Sequence, residues 1–446
     1  MQFKRLPYYV LKAAREPGLA LRLLALQLIL LKPLARLTYA LFGHRFLGRI
    51  AALAVDATGT RQGVPNVLCS SRLLFDKDIV QLRRLATQFN WLVVDSGYLS
   101  LPQEQWLPPE LCIQRSYVAH RQPRHLAAWD KSAEFVEVFL ERVQTRHRLS
   151  AVIGSNFDYW QEEGLRLACR RLGIPFLVVC QEHLTIPYYG PINIEEIRSL
   201  GFSVPDTAIA VFGQSTKDYI AKAGVCADER IVVTGAPRFD AWFNAKQPAP
   251  VECDTLTLLS YADPSYLAPG NFIEALHAFC DAAAACPDPG LRFVVKCKSP
   301  DDRDTIRAMV ERKISANVTF QSDIPLPELL SRSRLVAGFN SLAQIEALLS
   351  PALLVCPQWG DADRPEAEMQ INPNDPRCQS HFVFPRSATE FDELLRKACQ
   401  RDFTPPGISE GRMELFQLYF HVPTGTSASE AIQDFVHHFI GQGESA

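Results

Sequence analysis

Short apolar, β-branched runs alternate with stretches of helical period along most of this chain, and no other feature constrains its fold as tightly. Strands repeat every two residues and helices every 3.6, so a chain that keeps switching between them predicts a parallel sheet covered by helices. In the first half the expected strands are Ala51 to Val55, Val67 to Cys69, Trp91 to Val94, Ala151 to Ile153, Phe176 to Cys180, Ala208 to Phe212 and Ile231 to Thr234. The clearest crossover is Ser150 to Cys180: a strand, an amphipathic helix from about Tyr159 to Leu172, a stop at Gly173 with Pro175 just beyond, and a second strand. The strand AIAVFG, the helix Ser215 to Ala223 closed by Gly224, and the strand IVVTG repeat it.

The alternation breaks once, at WFNAKQPAPVECD (Trp242 to Asp254), where two prolines and a polar mix predict a domain boundary near Ala245 to Cys253. It restarts with strands Leu256 to Ser260, Arg292 to Lys296, Val318 to Phe320, Leu335 to Gly338 and Leu353 to Cys356, separated by helices Asn271 to Cys286, Asp302 to Lys313, Leu326 to Arg332 and Ser341 to Leu349. The reading is α/β, with two doubly wound, Rossmann-like domains over residues 50–245 and 254–410, a basic arm over 1–49 and closing helices over 411–446. Sheets of this kind bind ligands beyond the carboxyl ends of their strands, so the loops there carry the functional candidates.

Of the 446 residues 47% are hydrophobic and 21% charged, which rules out wholesale disorder and leaves apolar surface for two cores. The net charge of −3 gives no field that argues for a nucleic-acid partner, but it is unevenly spread. Residues 1–49 carry Lys4, Arg5, Lys12, Arg15, Arg22, Lys32, Arg36, Arg45 and Arg49 against the single acid Glu16, so the arm holds about +8 and the remainder about −11. Its longest uncharged apolar run, Leu23 to Leu31, falls far short of the roughly 20 residues of a bilayer span. Lys32, Pro33 and Arg36 follow where a secretory signal would place small residues. The arm reads as a cationic amphipathic helix that either lies on anionic lipid at the cytoplasmic face of the inner membrane or packs on its own protein. Twelve cysteines are scattered without a C-x-x-C pair, and Cys69, Cys180 and Cys356 sit inside apolar runs. That pattern points to a reducing, cytoplasmic compartment rather than a disulfide framework or a zinc ribbon.

Several strand ends carry chemistry. In VVTGAPRFDAW, Arg238 can pair bidentately with a phosphate or carboxylate in an interdomain cleft, or Arg238 and Asp240 can satisfy a structural turn. In GFNSLAQIEALL, Asn340 or Ser341 can cap a helix whose free N–H groups suit nucleotide phosphates, with Glu346 accepting from ribose hydroxyls; the alternative is a cap alone, with Glu346 exposed. Ser260 ends one strand as a phosphate contact, and Lys296 and Lys298, two apart, present one cation inward or are both solvated. Glu182 and His183 in VVCQEHLTIP stand where a base could take a proton from an acceptor hydroxyl, or they are structural; Asp158 in GSNFDYW is the competing base and Asp56 a third. The acidic loop around Arg364, with Asp361, Asp363, Glu366 and Glu368, lacks the spacing of a metal site and reads as solvated. No nucleophile elbow, P-loop or HExxH motif is present.

The order of three pieces, GAPRFD (Gly235 to Asp240), NSLAQIEALL (Asn340 to Leu349) and the tail RMELFQLYFHVPTGTSASEAIQDFV (Arg412 to Val436), resembles the GT-B glycosyltransferases that build bacterial surface and capsular polysaccharides, such as the CDP-glycerol transferases and capsule sugar transferases. The likeness covers roughly residues 150–440. It implies two domains facing a cleft. The first would bind a glycan or lipid-linked acceptor and supply a base from among Glu182, His183 and Asp158. The second would hold a nucleotide-sugar donor through Ser260, Lys296, Lys298, Asn340, Ser341 and Glu346, and Arg238 and Asp240 would line the cleft near the phosphate. Neither a cofactor nor a metal is implied, since lysine, arginine and a helix dipole can neutralise the leaving phosphate. The relatives' Lys-x-His-Pro element stands here as Lys296, Cys297, Lys298, Ser299, Pro300, without the histidine. A partial likeness to UDP-N-acetylglucosamine 2-epimerases rests on Gly59, Thr60 and Arg61 and on Arg364, Pro365 and Glu366, while Asn340 to Ala343 match their helix motif only at Ser341. A sugar-nucleotide epimerase is therefore the second expectation, and a non-catalytic GT-B-like scaffold the third.

Overall fold

The computed structural model of this protein describes residues 25–72, 75–112, 123–180, 189–244, 252–260, 269–310, 317–360 and 369–443. It divides into two compact units: Met1–His183 with Asn193–Ala241 and His421–Ala446, and Trp242–Phe420 with Leu184–Ile192. Short helices are given below by range only.

The first unit opens with residues 25–30, which are helical, and α1 (Lys32–Ala51), kinked at Gly43, where φ is 74°. Its strands β1 (Asn66–Ser71), β2 (Asn90–Asp95), β3 (Leu149–Gly154), β4 (Phe176–Val179), β5 (Ala208–Val211) and β6 (Ile231–Val233) form one parallel sheet in the order β2-β1-β3-β4-β5-β6. Helices α2 (Phe75–Leu85), α3 (Leu126–His147), α4 (Trp160–Leu172) and α5 (Gln214–Ala223) cover it. A parallel sheet buries both faces, which is why its strands read as near-continuous apolar runs. One core joins Val67, Ala151, Ile153 and Val179 of the sheet to Phe75, Ile79 and Leu82 of α2 and to Ile432, Phe435 and Val436 from the end of the chain.

The sequence predicts a strand at Ala51–Val55. Instead α1 runs to Ala51 and Ala52–Ala54 form a 3-10 turn, because a run of alanine and leucine follows helix propensity once Gly48 has let α1 close on α3. Asp56 makes only an isolated bridge to Val93.

The second unit contains β7 (Thr255–Leu259), α6 (Pro269–Ala285), β8 (Arg292–Lys296), α7 (Pro300–Met309), β9 (Val318–Gln321), β10 (Ser333–Ala337), α8 (Leu342–Glu346), β11 (Leu353–Val355), β12 (Phe382–Val383), α9 (Ala388–Ala398) and α10 (Glu410–Tyr419). Its sheet is again parallel, ordered β12-β11-β10-β7-β8-β9. Counted from β7 this is 3-2-1-4-5-6, the order of dinucleotide-binding sheets. The helix expected over Ser341–Leu349 splits into α8 and a 3-10 turn at Ala347–Leu349, so Glu346 ends α8.

The segment 411–446, read from sequence as one closing piece, divides. Helix α10 belongs to the second unit, where Arg412 is buried and donates to the carbonyls of Ser350 (2.7 Å) and Ala352 (3.0 Å). From His421 the chain is back in the first unit and forms α11 (Ala428–Gly443).

Candidate functional site

Each sheet reverses its strand order at one point, and the crevice at the carboxyl ends there is where such sheets bind ligands. In the first unit the reversal lies between β1 and β3, and in the second between β7 and β10.

At the β1/β3 point, β1 runs out into Ser71 and Arg72, and β3 into Gly154, Ser155, Asn156, Phe157 and Asp158 before α4 begins. Ser71 donates to Asp76 in the first turn of α2. Arg72 lies over the Tyr159 ring, 4.7 Å from its centroid, and its buried Nη1 has no hydrogen-bond partner among the described residues. Glu162, in the first turn of α4, turns back to the strand end: its Oε1 accepts from the Ser155 N–H (3.2 Å) and Oγ (3.0 Å), while its buried Oε2 has no partner among the described residues. Gly154 makes room for that carboxyl, since a Cβ there would stand 2.7 Å from Oε2. Burial pushes the Glu162 carboxyl up to about 7, against the Ser155 hydrogen bonds and the Arg72 charge, which pull it down. Asn156 is fully buried, and neither atom of its amide is paired among the described residues. Asp158 is also buried. Glu163, next to Glu162, is held by Arg166 at 2.6 Å. A guanidinium, an amide and a carboxyl that titrates near neutrality therefore gather at the neighbouring ends of β1 and β3, with hydrogen-bonding capacity left over.

Of this group the sequence singled out Asp158 alone. Glu162, Asn156 and Arg72 were missed. Glu182 and His183, the other expected bases, lie outside the described residues, as do the loop from Asp361 to Glu368 and residues 1–24. Asp56 accepts from Thr58 at 2.9 Å and pairs with Arg83 at 3.0 Å.

At the β7/β10 point, Ser260 follows β7 and its Oγ donates to Asp302 (3.0 Å), whose same oxygen accepts from the Lys298 N–H (2.9 Å). Ser299 caps α7, with Pro300 in its first turn. Lys296 ends β8 half-buried, its Nζ donating to the carbonyls of Cys297 (3.1 Å) and Ser322 (2.7 Å); Lys298 is exposed. Asn340 does not cap α8. Its Oδ1 accepts from the N–H groups of Gln370 and Ile371, both at 3.0 Å, and Tyr419 donates to the Gln370 carbonyl, so the two side chains bracket one segment. Ser341 is the N-cap residue, without a side-chain bond to the helix, and Glu346 is half-buried. Gln344 is fully buried: Nε2 donates to Val355 (3.1 Å) and Oε1 is unpaired among the described residues. Ser260, Asn340 and Ser341 thus stand at the reversal, Lys296 and Lys298 one strand away.

Arg238 and Asp240 have structural partners. The Arg238 N–H and Nη1 donate to the two oxygens of Asp78 on α2 (2.9 and 3.1 Å), a buried ion pair, and the guanidinium lies 4.6 Å over the Phe212 ring. Asp240 accepts from the N–H groups of Ala428 (2.8 Å) and Ser429 (2.9 Å) and from the Ser429 hydroxyl (2.6 Å), capping α11. The PRFD element therefore fastens β6 to α2 and to the returning chain.

No protein-family model matches the chain, and no curated protein matches it. Among solved structures it is similar to a putative UDP-N-acetylglucosamine 2-epimerase from Listeria monocytogenes (TM-score 0.48, 13% identity, 86% of this chain and 98% of that one). It is also similar to the glycotransferase of kitacinnamycin (0.47, 13%, 85% and 100%). A third is the UDP-GlcNAc 2-epimerase from Neisseria meningitidis bound to UDP-GlcNAc (0.44, 16%, 85% and 99%). At these scores the similarity carries no argument about chemistry, and the fold stands on its own strand order.

Proposed function

We propose that this chain is a glycosyltransferase that moves a sugar from a nucleotide-sugar donor to a surface-polysaccharide or lipid-linked glycan acceptor. The observation that carries the reading is Glu162. A buried carboxyl with one oxygen anchored by Ser155 and the other without a partner among the described residues, titrating near 7 at a switch point, is suited to exchange a proton with a hydroxyl at neutral pH. Asn156 and Arg72 would hold the neighbouring hydroxyls, with Asp158 a second carboxylate at the same strand end. The donor nucleotide would lie at the β7/β10 switch point of the dinucleotide-type sheet, against Ser260, Ser341 and the Lys298 cation, with Glu346 toward the ribose. Neither a cofactor nor a metal is part of this reading.

Thermal shift against UDP, CMP, CDP, GDP and their sugars tests donor binding, because a ligand at about 100 times its Kd stabilises by about 2.7 kcal/mol. Turnover of the selected donor follows. The reading expects a selective shift retained in Glu162→Gln, with kcat reduced about a hundredfold or more and KM for donor nearly unchanged. A folded protein that no nucleotide stabilises would instead be a scaffold. Release of an epimerised sugar nucleotide without acceptor would make it an epimerase.

A further inference from the structure

We propose that the first unit carries a second binding site, for a small organic oxyanion with an apolar body, in the cavity between the end of α3 and the chain that follows α1. The cavity holds about 410 Å³, within the roughly 300–1,000 Å³ of small-molecule sites. Ala52, Leu53, Val55 and Ala57 make its apolar wall. Arg146 and His147, the last two residues of α3, make a polar one. The His147 carbonyl accepts from the Asn66 side chain at the start of β1, and β3 begins just beyond, at Leu149. This wall therefore stands at the amino ends of the strands, whereas the Glu162 site stands at their carboxyl ends.

Charge identifies the ligand. Asp56 and Thr58 also line the cavity, but they satisfy each other within the protein. The Asp56 carboxylate accepts from the Thr58 N–H (2.9 Å) and hydroxyl (2.5 Å) and pairs with Arg83 (3.0 Å). Arg146 is exposed, and neither its guanidinium nor the His147 side chain makes a hydrogen bond or ion pair among the described residues. Arg142, one turn before Arg146, and Arg148, just after the helix, are exposed cations as well. Burial and the Arg146 charge hold the His147 imidazole below its ordinary value, so at neutral pH it is uncharged and can donate or accept. A guanidinium that faces no described acid suits a phosphate or carboxylate, which its planar fork can hold through two hydrogen bonds. The four aliphatic side chains suit a compact hydrocarbon body attached to that anion. Inorganic phosphate would meet only the guanidinium, and a neutral hydrocarbon only the apolar wall. The inference is independent of the reaction proposed above.

Calorimetric titration of the full chain with phenyl phosphate tests it. One saturable site is expected, with inorganic phosphate and benzyl alcohol each binding about tenfold or more weakly than phenyl phosphate. Arg146→Ala is expected to lower the affinity about tenfold or more. Because Arg146 is exposed and unpaired among the described residues, Tm of that variant should stay near that of the wild type. Ala57→Trp fills the cavity and should abolish binding; if it does not fold, Arg146→Ala decides alone. Three results would overturn the proposal: no saturable binding of phenyl phosphate up to about 10 mM; affinity unchanged in either folded variant; or inorganic phosphate binding as tightly as phenyl phosphate.

Discussion

Glu162 and Glu163 are neighbours in one helical turn, both buried, with different partners. In the sequence they form an ordinary acidic first turn, favoured by the helix dipole and fit for solvent. Glu163 is buried instead, with its charge paired by Arg166. Glu162 faces the strand end, a direction set by how α4 leaves β3 and therefore invisible to spacing rules. Asp158 could be picked out because it sits on the strand-end loop itself. A titration follows from the burial of Glu162. Its carboxyl has an ordinary value of 4.5 and about 7 in the fold, so between those pH values the native chain holds a proton that the unfolded chain has lost. The resulting stability is fully present below about pH 4.5 and is lost as pH rises through about 7. Glu162→Gln should therefore flatten the decline in stability between about pH 5 and 7.5, a difference of at most about 3 kcal/mol. Urea melts of both proteins across that range measure it, and parallel pH profiles would contradict the assignment.

Among elements, long periodic segments were legible and short ones were not. The crossover β3-α4-β4 matches its expected bounds to within a residue or so, because its amphipathic helix, its Gly173 stop and its apolar strands all agree. Strand β12, two residues long, carries too little pattern to detect, and the run Ala51–Val55 is as apolar as a strand but belongs to a helix end. Helix α11 shows an element whose start is set from far along the chain. Its first N–H groups are satisfied by Asp240, 188 residues away in sequence. Burial raises the Asp240 carboxyl even though three hydrogen bonds favour its charged form. Asp240→Ala should cost about 2 kcal/mol by chemical denaturation, with Asp240→Asn milder. A loss within experimental error for the alanine would mean that α11 needs no such cap.

For the whole molecule, the discontinuity of the first unit is the decisive feature. Its sheet is complete by β6, but one of its faces is covered by Ile432, Phe435 and Val436 of α11, which arrive only after the entire second unit has been made. A chain ending at Phe420 should lose hydrogen-exchange protection across β1 and β3 while β7, β8 and β10 keep theirs; full protection in β1 and β3 would show α11 to be dispensable. The sequence by itself determined the α/β class, two parallel sheets and most strand positions, since periodicity and turn residues act over a few residues and are written locally. Strand order, the reversal points, the inward turn of Glu162 and the use of Arg238 and Asp240 as fasteners were decided only by the tertiary structure. They depend on which distant segments share a surface, and burial and unpaired hydrogen-bonding groups exist only once those segments have met.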